Sequence, residues 1–414
     1  MFLAIFAPYY LFLSSNKMHT AIIGGGAAGF FLAVNLKEML PKMNVTIFEQ
    51  GHRVLKKVEI SGGGRCNCTN SFEQIKDLSI AYPRGHRLMK RLFNVFNYED
   101  AYQWYEQHGV KLTTQADGCV FPASQDAHSI VNCLLHHAHR YGVNVCMNQK
   151  ITSLEMLKNA DYIVVTTGGS ANPNSLEWLE TAGHGIEKPV PSLFTFNIED
   201  KRLQELMGTV INPVTTWLPS TKFRAEGALL ITHWGLSGPA ILKLSSHAAR
   251  WLNEQNYQTP VNINWCQKNE NEIYQILQHF CLENPKKSIT ATPYPIAEQL
   301  TNRLWNYLVE KTLGNHHTLK WGEMNKKKLN RLTNTLCNTT YDISRRSTYK
   351  EEFVTCGGIS LQSINPATLE SKSVPQLFFA GEVLDIDGIT GGFNFQAAWT
   401  TAYTVAKEIA RRCQ

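Results

Sequence analysis

The chain has no C-x-x-C pair among its ten cysteines and no double pair spaced for zinc. That excludes a dithiol redox motif and a zinc module. Cys66 and Cys68 form a C-x-C, too closely spaced for redox work, so free thiols in a reducing cytosol are expected. A dense Lys/Arg stripe is also missing. The formal charge of +6 over 414 residues is mild; it admits an anionic ligand without arguing for nucleic acid. The nearest thing to a basic run, Lys326-Lys327-Lys328, reads as a solvated helix face. No apolar run is long enough to span a bilayer: Phe2 to Leu13 is too short and lacks the basic start of a signal peptide. Met18 stands just before the first strand pattern. Residues 1–17 are therefore expected to be a non-native or disordered extension, and the protein to be cytoplasmic without stable membrane insertion. Internal repeats and low-complexity segments are absent. What remains is a globular composition, 43% hydrophobic and 18% charged, on a chain long enough for two or three domains.

The most informative stretch is Thr20-Ala-Ile-Ile-Gly-Gly-Gly-Ala-Ala-Gly29. A short apolar strand runs into a G-x-G-x-x-G spacing and then a helix, expected from about Ala27 to Leu40 and stopped by Pro41. Gly24 permits the tight turn, Gly26 leaves room for a pyrophosphate, and Gly29 lets the helix approach the sheet. The free N–H groups at the helix start face the phosphates. Val45 to Glu49 reads as a second strand ending in an acid, 20 residues beyond Gly29. A carboxylate there accepts hydrogen bonds from both ribose hydroxyls and repels a 2′-phosphate. Gly24, Gly26, Ala28, Gly29 and Glu49 are thus candidate contacts for a dinucleotide.

A second signal lies about 350 residues downstream. Leu377 to Gly381 is a short apolar strand followed by Glu382 and Asp385. The turn containing Gly391, Gly392 and Asn394 then opens a helix expected from about Phe395 to Arg411. An acid after such a strand can hold ribityl hydroxyls, and backbone N–H groups at a helix start can face the flavin pyrimidine. Together the two signals suggest one FAD-binding sheet built from both chain ends and interrupted by an insertion. Tyr162 to Gly169 suits a buried strand whose end, Thr167-Gly168-Gly169, approaches the cofactor. In Ser61-Gly-Gly-Gly-Arg-Cys-Asn67, Gly63 and Gly64 let backbone come close to a ligand. Arg65 and Asn67 offer donors to flavin heteroatoms or an anionic substrate. Cys66 lacks a resolving partner at suitable spacing. His136, His137 and His139 fall on a helix expected from Ala127 to Tyr141. With no Cys or carboxylate at i+3 or i+4 they read as surface residues, and no metal is expected.

The pattern changes near Pro189-Val-Pro191. Short strands such as Ser192 to Asn197 and Ala228 to Thr232 give way to two apolar helical stripes: Ile273, Ile276, Leu277 and Phe280, then Ile296, Leu300, Leu304 and Leu308. The expected divisions are an FAD-binding first part at 18–190, an insert at 191–344 with a helical block at about 269–333, and a second FAD-binding part at 345–414.

The chain resembles the bacterial and archaeal NAD(P)/FAD-dependent oxidoreductase family that includes the bile-acid-inducible-operon flavoprotein and proteins named aminoacetone oxidase. The resemblance spans roughly residues 18 to 410. It is carried by Gly24 to Gly29, Ser61 to Asn67 with Thr69-Asn70, Val120 to Ser124, Thr232 to Pro239, Thr355 to Gly358, Glu370 to Lys372, Phe379 to Asp385 and Gly391 to Asn394. It implies an α/β fold: a discontinuous FAD-binding domain of the glutathione-reductase type, Rossmann-like, with an inserted small β-barrel and helical subdomain. It also implies Gly24, Gly26, Gly29 and Glu49 at the ADP half, and Arg65, Asn67, Glu382, Asp385, Gly392 and Asn394 toward the ribityl and isoalloxazine half. Cys68 departs from the family, where an apolar residue is more usual.

The expected activity is two-electron transfer through flavin N5 to a small organic molecule. Arg65 would orient the substrate or polarise the flavin, and His233, in a turn of the insert, would serve in proton transfer. Since one G-x-G-x-x-G alone follows a strand and opens a helix, NAD(P)H as a transient reductant rests on the family name. Rival readings are a flavin-dependent RNA-modifying enzyme, a non-enzymatic FAD redox sensor or electron carrier, and a protein using NAD alone. No nucleic acid partner is expected.

Overall fold

The computed structural model describes residues 18–170, 172–291, 300–314, 319–346 and 354–414. The N-terminal extension and Ile296 lie outside the described residues.

Strand β1 (His19–Ile23) runs into helix α1 (Ala27–Met39), and strand β2 (Asn44–Phe48) follows. A short helix with a kink, α2 (Lys56–Gly64), comes next. Every residue of α1 from Ala28 to Leu36 is buried. A helix apolar all round must be covered on all sides, and here β2, the helix His128–Arg140 and the C-terminal helix all pack on it. Two further strands, β3 (Asn144–Cys146) and β4 (Tyr162–Val165), complete the N-terminal contribution.

The insert then forms a closed barrel. Its strands are β5 (Phe196–Ile198), β6 (Val210–Trp217), β7 (Arg224–Thr232), β8 (Gly235–Ser237), β9 (Thr259–Asn264) and β10 (Thr339–Arg346), in the order β6-β7-β8-β5-β10-β9. All pairs are antiparallel. Helix α3 (Pro239–His247) packs on it through buried Ala240, Ile241 and Leu244. Helices Glu270–Glu283, Asn302–Leu313 and Lys326–Asn338 fill the chain between β9 and β10. Each starts on a side-chain cap, from Asn269, Thr301 and Asn325, which satisfies N–H groups that have no partner inside the helix. The insert has its own core, including Phe196, Trp265, Trp305 and Trp321. An antiparallel pair, Ile186–Ser192 with Val354–Ile359, joins its entry and exit.

The chain returns with β11 (Leu377–Phe379) and ends in α4 (Phe393–Cys413). The main sheet has the order β11-β4-β1-β2-β3, all parallel. This is the α/β FAD-domain architecture with an inserted barrel that the family resemblance implied.

Three local expectations need correction. Ser192 to Asn197 is not one strand: Leu193 takes a positive φ of 55°, so one strand ends at Ser192 and the next begins at Phe196. Leu300 is buried but precedes the Thr301 cap, so it lies outside the helix that carries Leu304 and Leu308. The last helix begins at Phe393, two residues early, because Gly392 in the left-handed region serves as its N-cap. His136 and His139 are exposed, but His137 is half-buried, its ring edge-on to His108 at 4.6 Å; no group of three potential ligands for a metal ion occurs among the described residues.

Candidate functional site

Parallel register lines up four strand ends. Ile23 pairs with Phe48 on one side and Val165 on the other, and Val165 pairs with Phe379. The four segments that follow these residues therefore emerge along one sheet edge, where ligands bind in open α/β folds. They carry Gly24, Glu49, Thr167 and Gly381.

The β1–α1 turn uses its three glycines differently. Gly24 has φ +115°, and a Cβ there would lie 2.5 Å from the Thr166 carbonyl oxygen. A Cβ on Gly29 would overlap the Gly24 carbonyl, so helix and turn pack without a side chain between them. At Gly26 a Cβ would meet nothing within 4 Å. The protein itself has no use for that space. Glu49 stands beside the same turn, its Oε2 accepting from the Gly25 N–H at 2.8 Å and its Oε1 from the Gly51 N–H at 2.7 Å. Each carboxylate oxygen keeps a lone pair for a hydroxyl.

The opposite flank comes from the other chain end. A Cβ on Gly381 would lie 2.9 Å from that of Ala28, at the start of α1. Glu382 Oε1 accepts from the Thr355 N–H at 2.8 Å, and its Oε2 pairs with Lys57 Nζ at 2.9 Å. Gly168 has φ +70°, and a Cβ on Gly169 would lie 2.6 Å from Glu382 Oε1. Thr167 is exposed at the end of β4. Glu49 and Glu382 thus flank one turn, 333 positions apart in sequence. Lys57 was missed by the sequence reading; nothing in Leu55-Lys-Lys-Val58 marks one lysine over its neighbour.

The glycine segment and the last helix meet further along. Gly62, Gly63 and Gly64 all have positive φ, of 58°, 68° and 82°. A Cβ would meet nothing within 4 Å at Gly63 or Gly64, which leaves their backbone open to a ligand. Thr69 Oγ1 donates to Gln396 Oε1 at 2.5 Å, Trp399 Nε1 donates to the Cys68 carbonyl at 2.8 Å, and Asn70 Nδ2 donates to the Gly391 carbonyl at 2.9 Å. A Cβ on Gly392 would overlap the Thr69 carbonyl. The start of α4 is thereby fixed against the segment Asn67 to Asn70. Asn394 spends both ends of its amide on Gly388, at 2.8 and 2.9 Å, so it shapes this turn.

Two acids of the return segment hold the insert. Both Asp385 oxygens lie 2.9 Å from an Arg250 amino group, on a helix of the insert. Asp387, fully buried, is bonded by Arg84 in a two-point ion pair and by the Ser192 hydroxyl at 3.0 Å, and Arg84 also donates to the Ser246 carbonyl at 2.7 Å. This clasp joins four stretches of chain. Sequence reading passed over it because Arg84 and Asp387 are 303 residues apart.

Arg65 is exposed. Its guanidinium lies 4.4 Å over the Phe121 ring, with long bonds to the Gly62 carbonyl (3.3 Å) and Gln125 (3.4 Å). Most of its five donors remain available. His233 is exposed in the β7–β8 hairpin, its ring edge-on to Trp234 at 4.2 Å. No described contact brings it to the cleft. Burial pushes the Cys66 thiol up to about 12, with a Ser61 hydrogen bond acting weakly against it; burial also pushes Cys68 well up. Both are protonated at neutral pH, which suits packing and not redox chemistry.

A family model, the HI0933-like protein Rossmann domain, matches residues 18–408. The chain belongs to that family. It is accordingly an FAD-binding oxidoreductase by family. A Haemophilus influenzae protein named ribosomal RNA dihydrouridine synthase is 28% identical, covering 96% of this chain and 100% of its own. An Escherichia coli protein of the same name is 27% identical over 95% and 98%. A Clostridium scindens protein named 3-dehydro-bile acid delta(4,6)-reductase is 25% identical over 94% and 98%. Among solved structures, a 3-ketosteroid delta1-dehydrogenase from Sterolibacterium denitrificans aligns at 11% identity, a TM-score of 0.45 and coverage of 96% and 100%.

The residues present fit FAD. Gly26 leaves a gap beneath a helix start, Glu49 keeps free lone pairs beside it, and Asn67 Oδ1 is buried with no hydrogen-bond partner among the described residues. No helix among them is long and apolar enough to cross a membrane.

Proposed function

We propose that this protein reduces a carbon–carbon double bond conjugated to a carbonyl, with FAD in the cleft as two-electron carrier. The observation that carries the cofactor half of this reading is the convergence of Gly26, Glu49 and Glu382 on one sheet edge. Bound FAD supplies hydride transfer at N5, which no side chain here can provide. Gly24, Gly26, Ala28, Gly29 and Glu49 would hold the ADP half. Gly63, Gly64, Asn67, Thr167, Gly168, Gly169, Gly381, Glu382, Gly391 and Gly392 would surround the rest. Asp385 and Asn394 act at one remove, through Arg250 and Gly388.

The substrate class is supported by what the relatives' names share. Making dihydrouridine saturates a uracil double bond conjugated to a carbonyl, and a delta(4,6)-reductase of a 3-dehydro bile acid saturates double bonds conjugated to a 3-ketone. Arg65 suits the carbonyl oxygen of either. Its donors are underused, and its charge would stabilise the enolate that forms when hydride reaches the β-carbon, before a proton drawn from solvent reaches the α-carbon. The insert, through Arg250 and the Arg84 clasp, would limit water at that end of the cleft.

The decisive experiment reduces the flavoprotein anaerobically and follows reoxidation against enones, quinones, amines and oxygen. The reading expects rapid reoxidation by conjugated alkenes; reoxidation by oxygen alone would contradict it. A second reading takes ribosomal uridine as the alkene, favoured by the two relatives of that name that cover nearly the whole chain. Loss of dihydrouridine from ribosomal RNA in a deletion strain would support it over a small-molecule substrate. The electron donor we propose is NAD(P)H bound transiently over the flavin; bleaching by neither NADH nor NADPH in a stopped-flow mixer would remove it.

A further inference from the structure

Asn67 carries a buried acceptor that the protein leaves unused. Its Oδ1 has no hydrogen-bond partner among the described residues, whereas the neighbouring Thr69 and Asn70 are matched; Ser71 Oγ, further along, is also unpaired among them. Asn70 Oδ1 accepts from the Phe72 N–H at 2.9 Å, Thr69 is bonded to Gln396, and Gln396 to Thr400. A buried acceptor without a donor costs free energy, so one that persists in a matched network calls for a partner from outside.

The surroundings say what kind. Asn67 lies between the two glycine turns of the cleft. A Cβ on Gly62 would come within 3.0 Å of its backbone nitrogen, and a Cβ on Gly392 within 2.8 Å of Oδ1. Both glycines have positive φ, 58° and 89°, so neither turn tolerates a side chain that would fill the gap. The Asn67 Oδ1 therefore faces the Gly392 turn across that gap. The required partner is a donor.

We propose that Asn67 Oδ1 accepts the N3–H of the FAD isoalloxazine. Of the polar ring atoms of oxidised flavin, N1, O2, O4 and N5 accept, and N3 alone carries a hydrogen. The N–H groups at the start of α4 are donors, matched to the accepting atoms of the same ring edge. An acceptor among donors therefore fixes which edge of the ring enters. Asn67 is a positioning residue: it would set which edge of the ring enters the cleft. The inference rests on FAD occupying the cleft.

The test compares FAD with N3-methyl-FAD, which lacks that hydrogen, by titrating flavin-stripped full-length protein and following fluorescence quenching. Wild type should bind the methylated cofactor about tenfold more weakly or worse. Asn67→Ala should bring the two affinities within about twofold of each other, whereas Asn67→Asp, which keeps an acceptor, should preserve the discrimination. Equal wild-type affinities, or undiminished discrimination in Asn67→Ala, would overturn the assignment while leaving the FAD reading intact. Failure of wild type to bind either flavin would overturn both. Should Asn67→Ala not fold, the wild-type comparison alone still decides.

Discussion

The two ends of the cleft are built differently. At the end beside Glu49, the partners of that acid lie within one strand–turn–strand stretch, and both carboxylate oxygens are already held by backbone N–H groups at 2.8 and 2.7 Å. At the end beside Asn67, the walls come from distant segments, and the acids are engaged by cations: Glu382 by Lys57, Asp385 by Arg250. One end is set by local sequence. The other is set by tertiary clasps, so its geometry depends on the insert being in place.

The largest expected contrast is between two glycines. Gly392→Ala forces a Cβ into the Thr69 carbonyl at φ +89° and should cost about 3 kcal/mol or more of stability. Gly26→Ala adds its methyl to open space at φ −93°. It should shift stability by no more than ~0.5 kcal/mol, yet weaken FAD binding by about tenfold or more if the cofactor occupies that space as proposed. Thermal melts of flavin-stripped protein and FAD titrations check both.

Arg84→Ala comes next. It strands the Asp387 carboxylate, which has no exposure at all, and should destabilise the protein by about 3–5 kcal/mol in a denaturant titration. A cost near zero would mean the clasp does not hold the insert to the FAD-binding sheet.

Lys57→Ala should be mild for folding, ~0.2–1 kcal/mol, because the lysine side chain is 53% exposed and such pairs are well screened. A large loss of stability would show that the end beside Glu382 is as rigidly set as the end beside Glu49. Cys66→Ser should leave turnover within about twofold, since a thiol near 12 is ionised at pH 8 to only about one part in 10⁴.

The smallest effect concerns pH. Glu408 and Glu370 are held below the usual carboxylate value of 4.5, by hydrogen bonds from Arg411 and Arg412 respectively, which pin the far end of α4. A depressed carboxyl stabilises the fold above its unfolded pKa and loses that contribution as pH falls through its folded one. Melting temperature should therefore decline as pH drops below 4.5 and be flatter in Arg412→Ala.

The same contrast decides what the sequence made legible. Gly24, Gly26, Gly29 and Glu49 stand out in the sequence because they fall in one short strand–helix–strand unit whose spacing is a recognised pattern, although Gly24 and Gly29 also pack against distant Thr166. The barrel and helical block showed as changes of period, though Leu193 and Thr301 broke elements where only backbone angle or a cap could tell. At the end beside Asn67, Glu382 and Gly392 stand out by pattern, but nothing in the sequence pairs them with Lys57, Thr355 and Thr69. Asp385 drew attention that Asp387 needed more, since no local signal separates an acid paired to the insert from one buried under it. Residues whose partners lie hundreds of positions away carry no periodicity to read.

The most direct measurement is the flavin released from purified wild-type and Gly26→Ala protein, identified by mass and counted against the chain. FAD equimolar with wild type and depleted in a well-folded Gly26→Ala is the predicted result. A colourless wild type carrying only a nicotinamide, or Gly26→Ala retaining its full complement of FAD, would contradict a cleft shared by both chain ends.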